Sequence, residues 1–241
     1  MGRAAHTLSV VMPAYQLADV IEQNISAVFE ALAELDPQVV VVDDGSTDGT
    51  AAAIERAQAR HPQLVSVRLP TNRGKGRALL SGFEAGSGET IVFLDADLDL
   101  PPDQIPTFVE ALEEADIVVG TKRASMATGA YPGLRRVLSR IFAFATGGVF
   151  RLPVSETQTG LKAFRSEVLE TVAGSVKIDR YAFDIELLVR AHAAGYSMVE
   201  RPVRLGGGAA ESSLRPSMMW NLAKDTTRIA WWWLTEPGFR R

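Results

Sequence analysis

Residues 38–50 read QVVVVDDGSTDGT. Four consecutive valines make a β-branched apolar run that stops at two acids and a turn sequence. A strand without polar alternation is buried on both faces, as in the middle of a parallel sheet. The alanine-rich segment 47–61 that follows has helical character, with Thr47 or Asp48 placed to cap it. On the N-terminal side, LSVVMPA (8–14) reads as a second buried strand and 18–35 as a helix. On the C-terminal side, strands at 64–69, 90–97 and 115–122 alternate with helices at 74–86 and 102–114. This order predicts an α/β fold, a mostly parallel sheet flanked by helices.

Beyond residue 122 the pattern is less regular. The spacing predicts a basic, apolar helix over 133–150, a turn and strand over 157–165, a helix over 184–195 and a strand over 197–205. A glycine-rich loop (206–213) precedes a helix at 217–234. With no internal repeat and no long linker, the chain reads as one domain over 1–215 and an amphipathic, Trp-rich C-terminal helix over 216–241.

Composition narrows the chemistry. The chain has 241 residues, 46% of them hydrophobic and 22% charged, enough for a substantial core. It has no cysteine, which excludes disulfides and thiolate metal sites and fits a reducing compartment. Its three histidines, at 6, 61 and 192, are far apart in sequence, so any metal should be a hard cation held by oxygens. The N-terminal apolar run is too short for a secretory leader, and no stretch is long and apolar enough to span a membrane. Net charge is −4, yet residues 201–241 carry seven Lys or Arg against three acids. Such a basic tail suits an anionic surface, or is simply solvated.

Ligands of open parallel sheets bind beyond the C-terminal ends of the strands, and acids cluster at two such ends. Asp43 and Asp44 end the opening stretch. Asp95, Asp97 and Asp99 end ETIVFLDADLDLPPDQI (89–105). If the chain stays extended as far as Pro101, the three alternate carboxylates share one side and can converge. Convergent carboxylates need a compensating cation, and Mg²⁺ or Mn²⁺ shared with a substrate diphosphate would supply it. The plainer reading is a solvated acidic turn before a helix. Asp43 and Asp44 can accept hydrogen bonds from a base or ribose, or form an ordinary turn. Gly74 and Gly76, with Lys75 between them, precede a helix and suggest an anion site or close backbone approach to a nucleotide. The segment is not a Walker A loop, since Lys75 is followed by Gly76.

The ordered set VVMPAYQ, VVDDGSTDGT, NRGKGRAL, DADLDLPP, VVGTKR, TQTGLKAFR and YAFDIELL, over about residues 8–215, resembles family 2 glycosyltransferases of the GT-A, Rossmann-like fold. Among them it is most similar to dolichyl- and polyprenyl-phosphate sugar synthases. NRGKGRAL and RYAFDIELL resemble the glucosyltransferase-like branch, and within it the chain resembles an actinobacterial polyprenyl-phosphate N-acetylgalactosaminyl synthase. The resemblance implies that Pro13, Tyr15, Asp43 and Asp44 line the nucleoside pocket. It implies further donor contacts from Gly74, Lys75, Asp95, Lys122 and Arg123. Asp95 and Asp97 would hold the metal, with Asp99 beside them where some relatives carry Gln. Arg135 and Ser139 match an Arg-x-x-x-Ser pattern that meets the acceptor phosphate, and with Asp97 they form the implied catalytic set. Arg215 stands one place later than the family's Lys in a Ser-Lys loop, as a further acceptor contact.

The implied reaction is an inverting transfer from a nucleotide sugar, a UDP-sugar by preference, to polyprenyl phosphate. A phosphate monoester is already anionic near neutral pH, so the acceptor needs no general base. All four tryptophans (220, 231, 232, 233) lie in the tail, so the Gln-x-x-Arg-Trp motif of processive synthases is absent. Asp184 and Glu186 are the remaining acids of interest, placed either to stabilise a helix start or to position a ligand. The tail helix would lie at a membrane surface on the cytoplasmic face or pack on the domain, and an integral membrane protein could be a further partner. Nothing suggests nucleic acid. The alternatives are a family 2 transferase with a soluble sugar or protein acceptor, and a non-catalytic nucleotide-sugar binder.

Overall fold

The structure, a computed structural model, describes residues 7–122, 148–206, 216–236 and 239. Its seven strands are β1 (Leu8–Ala14), β2 (Gln38–Asp43), β3 (Leu64–Arg68), β4 (Thr90–Leu94), β5 (Ile117–Thr121), β6 (Leu161–Arg165) and β7 (Met198–Pro202). They form one sheet in the order β3-β2-β1-β4-β6-β5-β7. All neighbours are parallel except β6, which runs antiparallel to both β4 and β5. The helices are α1 (Ile21–Ala31), α2 (Thr50–Arg60), α3 (Lys75–Ala85), α4 (Ile105–Glu110), α5 (Ser166–Val172), α6 (Phe183–Ala193) and α7 (Pro216–Thr235).

All six residues of β2 are buried, as its unbroken apolar run requires. Val39 and Val41 point to a core shared with α1, α2 and α4 through Ile25, Ala53 and Phe108. Val40 and Val42 point the other way, to a core built with α3, α5 and α6 through Leu79, Leu169 and Leu188. Helices therefore cover both faces of the sheet, as the α/β reading expects.

Several boundaries differ from those expectations. The helix expected over 102–114 is broken into a 3₁₀ turn, the short α4 and another 3₁₀ turn, with Pro106 in its first turn. Helix α5 falls in a segment to which the sequence reading gave no element. Of the helix expected over 133–150, only 148–150 lie among the described residues, where they are helical. Helix α7 packs against the domain: Ile229 is fully buried, and Trp232 and Trp233 are half-buried against the same core. Trp233 meets Phe150 and Phe239 edge-on.

The topology places the site. β1, β2 and β4 are parallel, so their C-terminal ends share one rim, with Ala14 beside Asp43. The connection passes from β2 to one side of β1 and from β4 to the other, which opens a crevice at the rim. The antiparallel β6 brings its N-terminal end to the same rim, where Leu161 pairs with Leu94.

Candidate active site at the sheet rim

A cleft of about 680 Å³ opens at this rim. One side is formed by Pro13, Ala14 and Tyr15 at the end of β1, and by Asp44 after β2. Tyr15 is exposed. Gln16 follows at φ 55°, a left-handed conformation that turns the chain sharply away. The turn is held from the next rim loop: the Gln16 amide donates to Ser46 Oγ (3.0 Å) and the Leu17 amide to Thr50 Oγ1 (2.8 Å). Asp48 accepts the Thr50 amide (3.0 Å) and hydroxyl (2.5 Å) in a turn, while the cap expected at Thr47 or Asp48 falls instead on Gly49, which makes no side-chain cap bond. The Thr50 hydroxyl bond is the largest influence on Asp48, whose pKa is lowered from the ordinary carboxylate value.

The adjacent carboxylates of the first rim are both buried but differ in what holds them. Asp44 accepts the amides of Arg73 (2.7 Å) and Gly74 (2.8 Å), one on each oxygen. It thereby fixes the loop over the cleft. Asp43 accepts the Ser46 amide on Oδ1 (2.9 Å). Its Oδ2 is buried without a hydrogen bond, with the Arg68 Nε at 3.4 Å.

Gly74, which caps α3, and Gly76 in its first turn serve packing, and a Cβ on Gly76 would lie 2.4 Å from Phe183 Cγ. Gly74 has φ 108°, and a Cβ there would lie 2.6 Å from Arg180 Cγ and 2.7 Å from the Asp179 carbonyl. The first amides of α3 are already used, since Gly76 and Arg77 both donate to Asp179 O (2.9 and 3.2 Å). The anion site expected at this helix start is therefore not formed by those amides. From this helix start it is the Lys75 ammonium that reaches the cleft.

Lys75 Nζ lies 2.5 Å from Asp95 Oδ1, and each side chain is about one-third exposed, at 36% and 34%. Burial opposes the lysine charge, but Asp95, Asp184 and Asp97 outweigh it, so the Lys75 pKa is raised. The Asp97 pKa is also raised, which for a carboxylate disfavours the charge. Burial first, then repulsion from Asp95 and Asp99, raise its pKa above the ordinary carboxylate range.

The expected convergence of three carboxylates is corrected here. β4 stops at Leu94, and the Leu98 amide donates back to Asp95 O (3.2 Å), with Leu98 at φ 53°. The chain is a turn rather than an extended strand, so the alternate-residue rule no longer applies. Asp95 and Asp97 line the cleft; Asp99 does not, and its carbonyl instead accepts the Gly206 amide (2.8 Å). Among the described residues no three His, Asp or Glu side chains form a group able to hold a metal alone. Two carboxylates still fit Mg²⁺ or Mn²⁺, because such ions commonly take one or two carboxylates and complete their shell with substrate phosphates. The repulsion already acting on Asp97 is what a cation would relieve.

The opposite side of the cleft was largely missed by the sequence reading. The Gly160 carbonyl accepts the Asp95 amide (3.0 Å), and a Cβ on Gly160 would lie 2.1 Å from Asp95 Oδ2. Only glycine leaves that carboxylate its place. Gln158 donates to the Tyr181 carbonyl (3.0 Å), and Gln158, Arg180, Tyr181 and Asp184 line the cleft. Arg180 also donates to Asn72 O (3.1 Å), tying this wall to the loop held by Asp44.

Asp184 and Glu186, both in the first turn of α6, have separate roles. Asp184 lines the cleft and accepts from the buried Lys162 Nζ (2.7 Å). Glu186 is fully buried away from it, accepts the amides of Lys177 and Ile178, and pairs with Arg190 (2.7 Å). Lys162 is pushed down by burial against the pull of Asp184. The alternation of TQTGLKAFR gave no sign of Lys162, because a central strand buries both faces. Lys122 is not among the cleft-lining residues, and its charge acts on Glu156. Arg123, Arg135, Ser139 and Arg215 lie outside the described residues.

Comparison with known proteins accords with this geometry. The model of the family described as "Glycosyl transferase family 2" matches residues 9–173. Glycosyltransferase AglD of Haloferax volcanii is 31% identical over 202 residues, covering 81% of this chain and 32% of that protein. An undecaprenyl-phosphate 4-deoxy-4-formamido-L-arabinose transferase of Pseudomonas fluorescens is 32% identical over 170 residues, covering 69% of this chain and 49% of its own length. A dolichol-phosphate mannosyltransferase of Pyrococcus furiosus is 28% identical over 232 residues, with 93% and 64% covered. The chain thus spans between about a third and two-thirds of the length of these relatives. Among solved structures, the mannosyltransferase PcManGT of Pyrobaculum calidifontis, in complex with GDP-Man and Mn²⁺, is 27% identical, covering 83% of this chain and 55% of that one, with a TM-score of 0.61. Glucosyl-3-phosphoglycerate synthase of Mycobacterium tuberculosis, 23% identical with 93% and 80% covered, shares the fold at a TM-score of 0.70.

Proposed function

The chain belongs to glycosyl transferase family 2, and from that premise we propose that it transfers a hexose or N-acetylhexosamine from a nucleotide sugar to polyprenyl phosphate, with inversion and with a divalent metal. The observation that carries this reading is the Lys75–Asp95–Asp97 cluster in the rim cleft. It offers carboxylates for a cation and an ammonium for a diphosphate in one place. The relatives named above as undecaprenyl- and dolichol-phosphate sugar transferases support the lipid acceptor. PcManGT, bound to GDP-Man and Mn²⁺, supports the donor class and the metal.

Each residue then has a physical task. Pro13, Tyr15 and Asp44 wall the nucleoside. The buried Asp43 Oδ2 makes no hydrogen bond and has Arg68 Nε at 3.4 Å, so it would accept a base N–H, from uracil or guanine alike, once the exposed Arg68 side chain yields. The preference for a UDP-sugar rests on the resemblance of NRGKGRAL and RYAFDIELL to the glucosyltransferase-like branch. Asp95 and Asp97 would hold Mg²⁺ or Mn²⁺, which offsets charge on the departing nucleoside diphosphate. Lys75 stabilises that same charge from the side. An acceptor phosphate oxygen forms a bond to the anomeric carbon as the bond to the diphosphate oxygen breaks. The cleft contributes alignment more than proton transfer.

One observation favours a hydroxyl acceptor instead. Asp184 is a carboxylate in the cleft, where a base would be needed. Its Oδ1 is committed to Lys162, however, and a phosphate acceptor needs no base. Labelled UDP-glucose, UDP-N-acetylgalactosamine and GDP-mannose, offered with decaprenyl phosphate or a sugar alcohol, discriminate the readings. Label should pass to the lipid phosphate from a UDP-sugar. Transfer only to the sugar alcohol would reject the lipid acceptor, and no transfer at all would reject catalysis.

A cytoplasmic membrane surface suits this acceptor. No helix among the described residues is long and apolar enough to cross a membrane. The outer side of α7 exposes Trp220, Lys224, Trp231 and Leu234, which recur at helical spacing. Aromatic and cationic side chains of this kind sit well at the headgroup level. Trp220→Ala/Trp231→Ala should lower flotation with anionic vesicles; unchanged flotation would reject this contact.

A further inference from the structure

Lys162 is a charged residue for which the proposed reaction has no use. Its side chain is 2% exposed, on a strand flanked on both sides within the sheet. Its ammonium meets the Thr159 carbonyl at 2.6 Å and Asp184 Oδ1 at 2.7 Å. Stability alone does not account for such a pair. Replacing a buried ion pair with apolar side chains of similar volume is often neutral or stabilising. What the pair does achieve is to hold one carboxylate oxygen still while the rest of the Asp184 side chain faces the cleft.

Asp184 has suitable neighbours there. Tyr181 lines the cleft and is 36% exposed, and Gln158 is held by its bond to the Tyr181 carbonyl. A carboxylate, a carboxamide and an aromatic face are the groups that recognise a pyranose. The first two bond its hydroxyls and the ring packs on its C–H face. Asp184 also acts electrostatically on Lys75, so this corner adjoins the place proposed for the diphosphate, where the transferred sugar must begin.

We propose that Lys162 is a positioning residue, whose buried ammonium fixes the Asp184 carboxylate to accept hydroxyl hydrogen bonds from the transferred sugar and so to select among hexoses. This inference rests on the nucleotide-sugar reading above. It assigns Asp184 to the donor sugar rather than to proton abstraction, and it gives the buried lysine an indirect part in specificity.

The test is calorimetric titration of the full chain with Mn²⁺ present. UDP-glucose, UDP-N-acetylgalactosamine and GDP-mannose are each compared with their own nucleoside diphosphate. The readout is the affinity ratio of nucleotide sugar to nucleotide. Wild type should prefer one sugar. Asp184→Asn and Lys162→Met should each reduce that preference about 10-fold, with nucleoside diphosphate affinity kept within about twofold. The double variant Lys162→Met/Asp184→Asn should be no worse than Asp184→Asn alone, because the two act as one unit. It leaves neither charge unpaired; if Lys162→Met fails to fold, Lys162→Arg, which keeps the charge but moves its donors, takes its place and should reduce the preference likewise. A wild-type sugar preference in Asp184→Asn or in Lys162→Met, or an equal loss of nucleotide and nucleotide-sugar affinity, would overturn the proposal. Wild type binding none of the nucleotides would overturn the reading beneath it, a result distinct from lost sugar preference with nucleotide binding intact.

Discussion

After β2, the protein's own backbone meets the acids: Asp44 takes two amides and Asp43 takes one. After β4, the balance is different. Asp95 faces an ammonium 2.5 Å away, and Asp97 accepts one amide, from Asp99 at 3.1 Å, while burial and like charge push its pKa up. Both rims are acidic in sequence and each sends carboxylates to one cleft, Asp44 from the first and Asp95 and Asp97 from the second. The first spends its carboxylates on holding loops, which makes a rigid wall. The second keeps its charge available, which makes a place for a mobile cation. Rigidity and charge are thus divided between neighbouring strand ends.

The largest expected effect lies at the second rim. Asp97→Ala should lower transfer by about 10³-fold while leaving the circular dichroism spectrum unchanged, since it removes an electrostatic group and no packing. Wild-type turnover in this variant would erase the distinction between the rims. Lys75→Met sharpens it. Without its ammonium the two carboxylates should bind Mn²⁺ more tightly in the absence of nucleotide, yet transfer should fall about 100-fold. Titration calorimetry and initial rates measure the two changes, and a parallel fall in both would contradict the account of Lys75.

At the first rim the readout shifts from chemistry to stability. Asp44→Ala leaves two amides of a fixed loop without their acceptor and should cost about 3 kcal/mol, a melting-temperature fall of roughly 6–12 °C for a chain of this size. Mn²⁺ affinity in the absence of nucleotide should barely change. The smallest effect belongs to Asp48, whose pKa is lowered from 3.8 in the fold. Its stabilising contribution is present above the unfolded value and is lost as pH falls through the lowered folded one. Urea midpoints of wild type and Asp48→Asn should therefore differ at pH 7 and converge in acid. A constant difference across that range would mean the Asp48 charge is irrelevant.

How much of this was legible depends on what each residue's signal was. Val39–Val42 announced a central strand because burial on both faces forbids polar alternation, and β2 is that strand. The rim position of Asp43, Asp44 and Asp95 followed from parallel order alone. The fate of Asp99 did not, because a left-handed turn at Leu98 is invisible in a residue with no preference for it. Lys162 was hidden by topology: β6 enters antiparallel between two strands, and nothing in LKAFR encodes that insertion. The wall at 177–182 has no periodicity to read. Its order comes from distant partners, Glu186, Gly76 and Asn72.

The most direct test of the central claim is Mn²⁺ binding to the full chain, followed by electron paramagnetic resonance with and without UDP. The account predicts that UDP tightens Mn²⁺ binding at least about 10-fold, as mutual linkage requires when ion and diphosphate share a site, and that Asp97→Ala abolishes both the binding and the coupling. Mn²⁺ affinity indifferent to UDP, or unchanged in Asp97→Ala, would contradict it.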